Sequence, residues 1–459
     1  MRLLPLSLVL ALAGCSLVPP LPAQEAGLPA TYVDAPMLDG YGADLGWREM
    51  FGDLRLQALV RQALANNRDL RVAVANVEAA RALYGIERGA LLPGVDARST
   101  LGRERVAATG SSPAVVQGSD AAGLVLSAFE IDLFGRVRAL SDAAQARYLA
   151  SAEGARAARI SLVAAVADAY LEERLAVEQL HLTETTLADW QQSLSLARLL
   201  KDAKQNSGLD VAQAEGQVAS AEADLESRRR DLAQARNALS LLVGAVPPDD
   251  LPDGRPLAEQ PIRTLLPAGL PSDLLLRRPD LRQAEQALRA ANADLGAARA
   301  AFFPTLSLTA SLGYASPALG SLFKGSQLAW GFTPQLTQPL FTNGRLSAGR
   351  DLAEARRTAA VAEYEKTIQT AFREVSDGLA ASATLDAQLR AQLRVVASAE
   401  RRRDLSNLRY RAGQDSRLEL LDAQRQAYAA RQGVLTLRRA VFKNALSLYK
   451  ALGGGLSEG

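Results

Sequence analysis

The chain is poor in the residues on which most catalytic and metal centres depend. Its 459 residues hold one cysteine, Cys15, and one histidine, His181. A zinc-type site draws three or four ligands from such residues, and a Cys–His or Ser–His–Asp centre needs a histidine beside its nucleophile. An intrachain disulfide is impossible, and no cofactor is expected. Charge of one sign is also missing: 52 basic side chains stand against 50 acidic ones, so nothing points to a nucleic acid. Nowhere do 18 apolar residues follow one another, which excludes a membrane-spanning helix; any crossing must be made of strands. Aromatics contribute 5% of the residues and apolar types together 48%. Abundant alanine lets helices approach closely. His181 lies in a long polar helical stretch and reads as solvated.

The first residues read as an address. Arg2 and the apolar run 3–13 (LLPLSLVLALA) fit a secretory signal. The run ends in Leu12-Ala13-Gly14-Cys15, which resembles the lipobox of bacterial lipoproteins. That resemblance implies cleavage before Cys15 and acylation of its thiol and new N-terminus, with each buried CH₂ worth ~0.8 kcal/mol of anchoring. Ser16 stands where an inner-membrane lipoprotein would keep Asp, so the outer membrane is favoured. We therefore divide the N-terminus into a signal (1–14) and an acylated tether (15–52), rich in Pro, Gly and Ala.

The remainder repeats itself. Residues 67–102 align without gaps on 278–313, with 13 of 36 positions identical, among them Asp69/Asp280, Gly85/Gly296 and Pro93/Pro304. Further on, Ser207-x-Leu209 matches Ser416-x-Leu418, and 237–241 (NALSL) matches 444–448. The reading is a tandem duplication: a first copy over 53–250, a linker over 251–271, and a second copy with a C-terminal belt over 272–459. Each copy reads as helix, two strands, very long helix, helix. The helices are expected at 53–90, 136–203, 207–243, 272–301, 344–411 and 416–450, and a 65-residue helix is about 100 Å long.

In the last helix Leu421, Tyr428, Leu435, Phe442 and Tyr449 recur every seven residues beside Leu420, Ala427, Val434, Val441 and Leu448. In the helix at 207–243, Val211, Val218, Leu225, Leu232 and Leu239 run beside Ala214, Ala221 and Ala235. Two seams predict two neighbours per helix, as in a closed wall; a filled bundle is the other arrangement. Four alternating segments, 94–106, 119–131, 305–315 and 328–341, have the length of tilted transmembrane strands. Phe302, Phe303, Trp330, Phe332 and Phe341 lie near their ends, as interfacial aromatics do. Four strands cannot close a barrel, and open edges are not tolerated in lipid. Three copies supply twelve strands, which is the physical case for a homotrimer.

Several stretches together resemble the outer-membrane efflux proteins of the TolC/OprM type, and most of all their lipoprotein branch. They are the lipobox, 45–49 (LGWRE), 67–71 (NRDLR), 129–135 (FEIDLFG), 274–280 (LLLRRPD), 300–304 (AAFFP) and 452–455 (LGGG). The resemblance covers the whole chain. It implies a mixed α/β membrane protein: a homotrimeric 12-stranded β-barrel continued by a periplasmic α-helical barrel. It further implies no enzymatic activity, a periplasmic adaptor and an inner-membrane resistance-nodulation-division transporter as partners, and outer-membrane lipid around the barrel. By the same resemblance the periplasmic end is pinched near the second long hairpin, which makes Tyr410, Asp415, Arg417 and Asp422 gate candidates. Gly413 suits a left-handed helix end, and Asp415 or Ser416 could cap the next helix, with Glu419 completing a capping box. Lys201, Lys204, Ser207, Gly208, Gly413 and Ser416 are the hairpin-tip candidates for adaptor contact. The first tip departs from the family pattern, having Leu199, Lys201 and Lys204 where an Arg-Tyr-x-x-Gly run is usual. Two other readings remain: the outer channel of a type I protein-secretion system, and a poreless coiled-coil scaffold.

Overall fold

A computed structural model describes residues 16–21, 27, 29, 31–32, 40–110, 113–205, 207–246, 248 and 250–457; Cys15 and the signal segment lie outside these. The elements run α1 (Trp47–Met50), α2 (Leu54–Asn66), α3 (Arg68–Gly89), β1 (Asp96–Val106), β2 (Val115–Ile131), α4 (Arg136–Asp202), α5 (Gly208–Val243), α6 (Leu274–Arg277), α7 (Pro279–Ala300), β3 (Thr305–Ser316), β4 (Leu328–Thr337), α8 (Arg345–Arg411) and α9 (Arg417–Ala451). Helices α4 and α8 have 67 residues each. The order helix, two strands, long helix, shorter helix thus occurs twice. The compact units cut across that order: one takes 75–152 and 283–366, the other 153–282 and 367–459, each with a piece of the N-terminal region.

Two helices expected as single are broken, for identifiable reasons. The segment 53–90 divides at Asn67, whose backbone is extended. Its side chain accepts from Leu70 N at 2.9 Å and donates to Leu242 O at 2.9 Å, so it caps the following helix instead of continuing the first. The segment 272–301 divides at Arg278 because Pro279 follows; proline disfavours helical backbone before it and suits a first helical position. The strands shift too. β2 starts at Val115, where Val115–Gly118 still pair with Arg103–Val106. β4 stops at Thr337 rather than 341, just before Gln338 and Pro339; a proline has no N–H for a ladder.

The sheet is an antiparallel meander, β1-β2-β3-β4, so β1 and β4 each keep one unpaired edge. Its register sorts the side chains into two faces. One face carries Asp96, Arg98, Thr100, Glu104, Gln117, Ser119, Ser307, Thr309, Ser311, Thr333 and Gln335. The other carries Leu101, Leu124, Leu306, Leu308, Leu312, Tyr314, Leu328, Trp330, Phe332 and Leu336. A bulge between Leu126 and Phe129, with Ala128 at φ 48°, is what keeps this sorting intact. Without the extra residue Phe129 and Ile131 would turn to the polar face; with it they sit opposite Leu308 and Leu306. The apolar face is bare in the single chain, Trp330 being 76% exposed.

In the helical unit, α4 and α5 close on Leu187, Trp190, Leu194 and Ala197 against Val211, Ala214, Val218, Ala221 and Leu225. The two rows expected on α5 are therefore one coiled-coil seam: positions alternately three and four apart face a single partner. Helix α9 does have two neighbours. Its Tyr428 bonds Thr183 of α4, and its Asn444 bonds Gly378 O and Ser382 of α8.

Candidate functional site

The two hairpin tips are built by helix-end chemistry. At the first, Lys204 takes a left-handed φ of 60°, its N–H bonding Lys201 O and that of Gln205 bonding Leu200 O, both at 2.8 Å. Ser207 then starts α5 through a complete capping box: its hydroxyl accepts from Asp210 N, and the Asp210 carboxylate accepts from Ser207 N. Gly208 follows, with open space where a Cβ would be. Lys201 and Lys204 are exposed. The bond from the Ser207 hydroxyl, aided by its N–H and by Arg417, holds the Asp210 carboxyl below its ordinary value against the opposing effect of burial.

This yields a measurable expectation. Ser207→Ala should cost about 1 kcal/mol of helix-start stability, read as faster hydrogen exchange in the first turn of α5. Because the folded pKa of Asp210 lies below its unfolded one, the contribution is complete above the unfolded value and is lost as pH falls through the folded value. The variant should show a smaller acid-side loss, because the Ser207 N–H and Arg417 remain to hold the carboxylate; equal pH profiles would refute the coupling.

At the second tip Gly413 has φ 69°, and its N–H reaches Tyr410 O at 3.0 Å. Ser416 caps α9, accepting from Glu419 N at 3.3 Å. The expected capping box is only half made, because Arg402 of α8 takes the Glu419 carboxylate at 2.7 Å. Asp415 accepts from Ser416 N and pairs with Arg409 at 3.5 Å. Asp422 pairs with Arg402 at 2.9 Å. So the two carboxylates among the gate candidates are held by arginines of α8, and Arg417, the remaining charged candidate, is engaged elsewhere. It is 3% exposed. Its Nη2 donates to Ser193 O and Oγ of α4 at 3.4 and 3.0 Å, and its guanidinium lies over the Tyr410 ring at 5.4 Å. Ser193 and Arg402 were not legible as site residues, and Glu419 was read only as a capping residue.

Arg417 is the lowest rung of a ladder joining the hairpins. Eleven residues on, Tyr428 meets Thr183 at 2.7 Å, donates to Asp224 and accepts from Gln432 at 2.9 Å. Burial, with Asp224 beside it, raises the phenol of Tyr428 above its usual value. Eleven further on, Arg439 reaches Asp168 and Glu172, both at 2.9 Å. Eleven residues are close to three helical turns, so the rungs share one face of α9. His181, exposed as expected, lines a cleft of about 490 Å³ beside Leu182, Leu393, Val434 and Arg438. Among the described residues no three potential metal ligands converge.

The sequence model of the outer membrane efflux protein family matches residues 59–245 and 270–454. The chain belongs to that family. One relative, the antibiotic efflux pump outer membrane protein ArpC of Pseudomonas putida, is 45% identical over 97% of this chain and 94% of its own length. Among solved structures, a membrane protein from Pseudomonas aeruginosa superposes with a TM-score of 0.89 at 41% identity, over 96% of this chain and 100% of that one. The open state of the Neisseria gonorrhoeae MtrE outer membrane channel gives a TM-score of 0.89 at 40% identity, over 97% and 99%. This efflux protein therefore works in the outer membrane as a channel rather than an enzyme.

Proposed function

We propose that the chain is the exit duct of a tripartite pump that sends drugs and other small molecules to the medium. The observation that carries this reading is the sheet: one polar face, one apolar face and two unpaired edges. Three copies joining β1 of one chain to β4 of the next would make a closed twelve-stranded barrel, with the apolar face in lipid and the polar face lining water. A homotrimer also gives the long helices enough neighbours to form a periplasmic wall. In this reading Cys15 carries the acyl anchor, as the lipobox suggests. Tyr410, Asp415, Arg417 and Asp422 close the periplasmic end, and the bonds of Arg417 and Asp422 to neighbouring helices supply the restraint to be broken on opening. Lys201, Lys204, Ser207, Gly208, Gly413 and Ser416, at the hairpin turns, meet a periplasmic adaptor that connects the duct to an inner-membrane transporter of the resistance-nodulation-division class.

The test is intracellular accumulation of ethidium in cells lacking the gene. Deletion should raise accumulation, and complementation should restore it. Unchanged accumulation, with secreted proteins lost from the medium, would replace the small-molecule cargo by a polypeptide one.

A further inference from the structure

The apolar face of the sheet is not apolar along its whole height. On β1 its residues read Ala97, Ser99, Leu101, Arg103, Arg105, set against Leu124, Ala122, Asp120, Gly118 and Val116 of β2. Both arginines lie at the end where β1 turns into β2. At the opposite end the same face offers Phe129, Ile131, Leu306 and Leu336 and no charge.

The two arginines are treated differently. Arg103 lies over Gly118, where a Cβ would come 3.0 Å from its Nη1. It makes a two-pronged pair with Asp120 at 2.5 and 2.9 Å, so its charge is neutralised on the spot. Arg105, two residues nearer the loop, is exposed and makes no ion pair among the described residues. The face thus passes from no charge at Ser99 and Ala122, through the compensated Arg103–Asp120 pair, to a free charge at Arg105 within about 20 Å of strand. Aromatics stand on the mid-strand side of this level: Tyr314, in register with Ala122 and Ser99, packs edge-on against Phe323 of the β3–β4 loop at 5.8 Å, and exposed Trp330 lies a further step toward mid-strand, in register with Leu312, Leu124 and Ala97. Exposed Lys324 follows Phe323 in the loop.

A lipid-facing arginine costs roughly 2–4 kcal/mol at the centre of a bilayer and almost nothing at its surface. The gradient on β1 is what the boundary between hydrocarbon and headgroups imposes. A free guanidinium there, with its planar fork of donors, matches phosphate. The other end of the face has aromatic and aliphatic groups but no cation, so the two membrane surfaces are met differently.

We propose that Arg105, with Lys324 of the β3–β4 loop as a second cation, binds the phosphate of a lipid headgroup at the loop end of the sheet. The proposal rests on the sheet spanning the outer membrane. It makes the loop-end rim a specific lipid contact, whereas the opposite rim is held by apolar and aromatic anchoring alone.

Two measurements on the purified full-length protein separate the parts of this claim. The first is quenching of tryptophan emission by brominated acyl chains in vesicles. It should occur and should vanish in Trp330→Phe; without such quenching the spanning reading fails, and the lipid site with it. The second is native mass spectrometry with bisphosphorylated lipid A and with the same lipid stripped of phosphate. The wild type should prefer the phosphorylated lipid, and Arg105→Gln with Lys324→Gln should lower its occupancy about tenfold, equivalent to about 1.4 kcal/mol. Both positions are solvent-exposed, and the Arg103–Asp120 pair is left intact, so the fold should persist. Quenching with equal binding of the two lipids, or equal binding by variant and wild type, would overturn the phosphate site alone.

Discussion

Leu312→Arg should abolish the heat-modifiable trimer proposed for this protein in outer-membrane preparations, while Ser311→Arg should leave it in place. The two residues are neighbours on β3 and point to opposite faces. Leu312 stands between Leu124 and Trp330 on the apolar face, and Ser311 between Val125 and Gly331 on the polar one. An arginine facing lipid near mid-strand costs about 2–4 kcal/mol. A ring of three copies pays that cost three times, which is a large fraction of the 5–15 kcal/mol of stability a folded domain usually has. An arginine at 311 faces water in the proposed barrel and costs little. The measurement is the fraction of protein migrating as trimer before and after boiling. Equal loss in both variants would mean that the faces are not lipid and water, and equal tolerance would mean that the sheet does not span.

The second large effect is expected at Arg278. It is 6% exposed and makes four bonds: Nε and Nη2 to Asp280 at 3.0 and 2.6 Å, and Nη1 to Glu374 at 2.8 Å and to Ala451 O at 2.9 Å. One guanidinium thereby ties the start of α7 to α8 and to the end of α9. Removing one partner of a buried pair typically costs 3–5 kcal/mol, because the remaining charges keep their desolvation without their compensation. Here the carboxylates are 37% and 39% exposed, so Arg278→Ala should fall at the lower end, about 3 kcal/mol. Arg278→Lys should recover part of this, since an ammonium can satisfy one carboxylate but not a planar fork of contacts. Urea unfolding of the detergent-solubilised protein reads both. A cost within the error of wild type would show that the carboxylates are fully rehydrated once the arginine is gone.

What could be read from the sequence, and what could not, follows from the range of each interaction. The long helices end within one residue of expectation because their stop signals are local: Gly413, Ser207 and Ser416 act on their own backbone. The interruptions at Asn67 and Arg278 were missed for opposite reasons. Asn67 caps because Leu242, 175 residues away, gives its amide a partner. Arg278 precedes a proline that was visible but was read only as part of a motif. The alternation of β3 and β4 survives in the sequence, whereas in β2 the bulge at Ala128 changes parity midway and hides it. At the tips, Asp415, Ser416 and Gly413 were legible as helix-end residues. Their ionic partners Arg402 and Arg409 were not, because arginine is frequent on α8 and nothing local says which of its copies faces α9. The same limit hid Ser193, an ordinary helical serine until Arg417 is laid against it.

The bare edges of β1 and β4 carry a genetic consequence. In a ring closed by three copies, each chain completes two seams, one on either side, so a subunit with a spoiled edge disables its neighbours as well as itself. When intact and defective chains are made in equal amounts and mix at random, only about one ring in eight is wholly intact. Lesions at the sheet margins should therefore be dominant in cells carrying both alleles, and lesions that stop a chain from folding at all should be recessive.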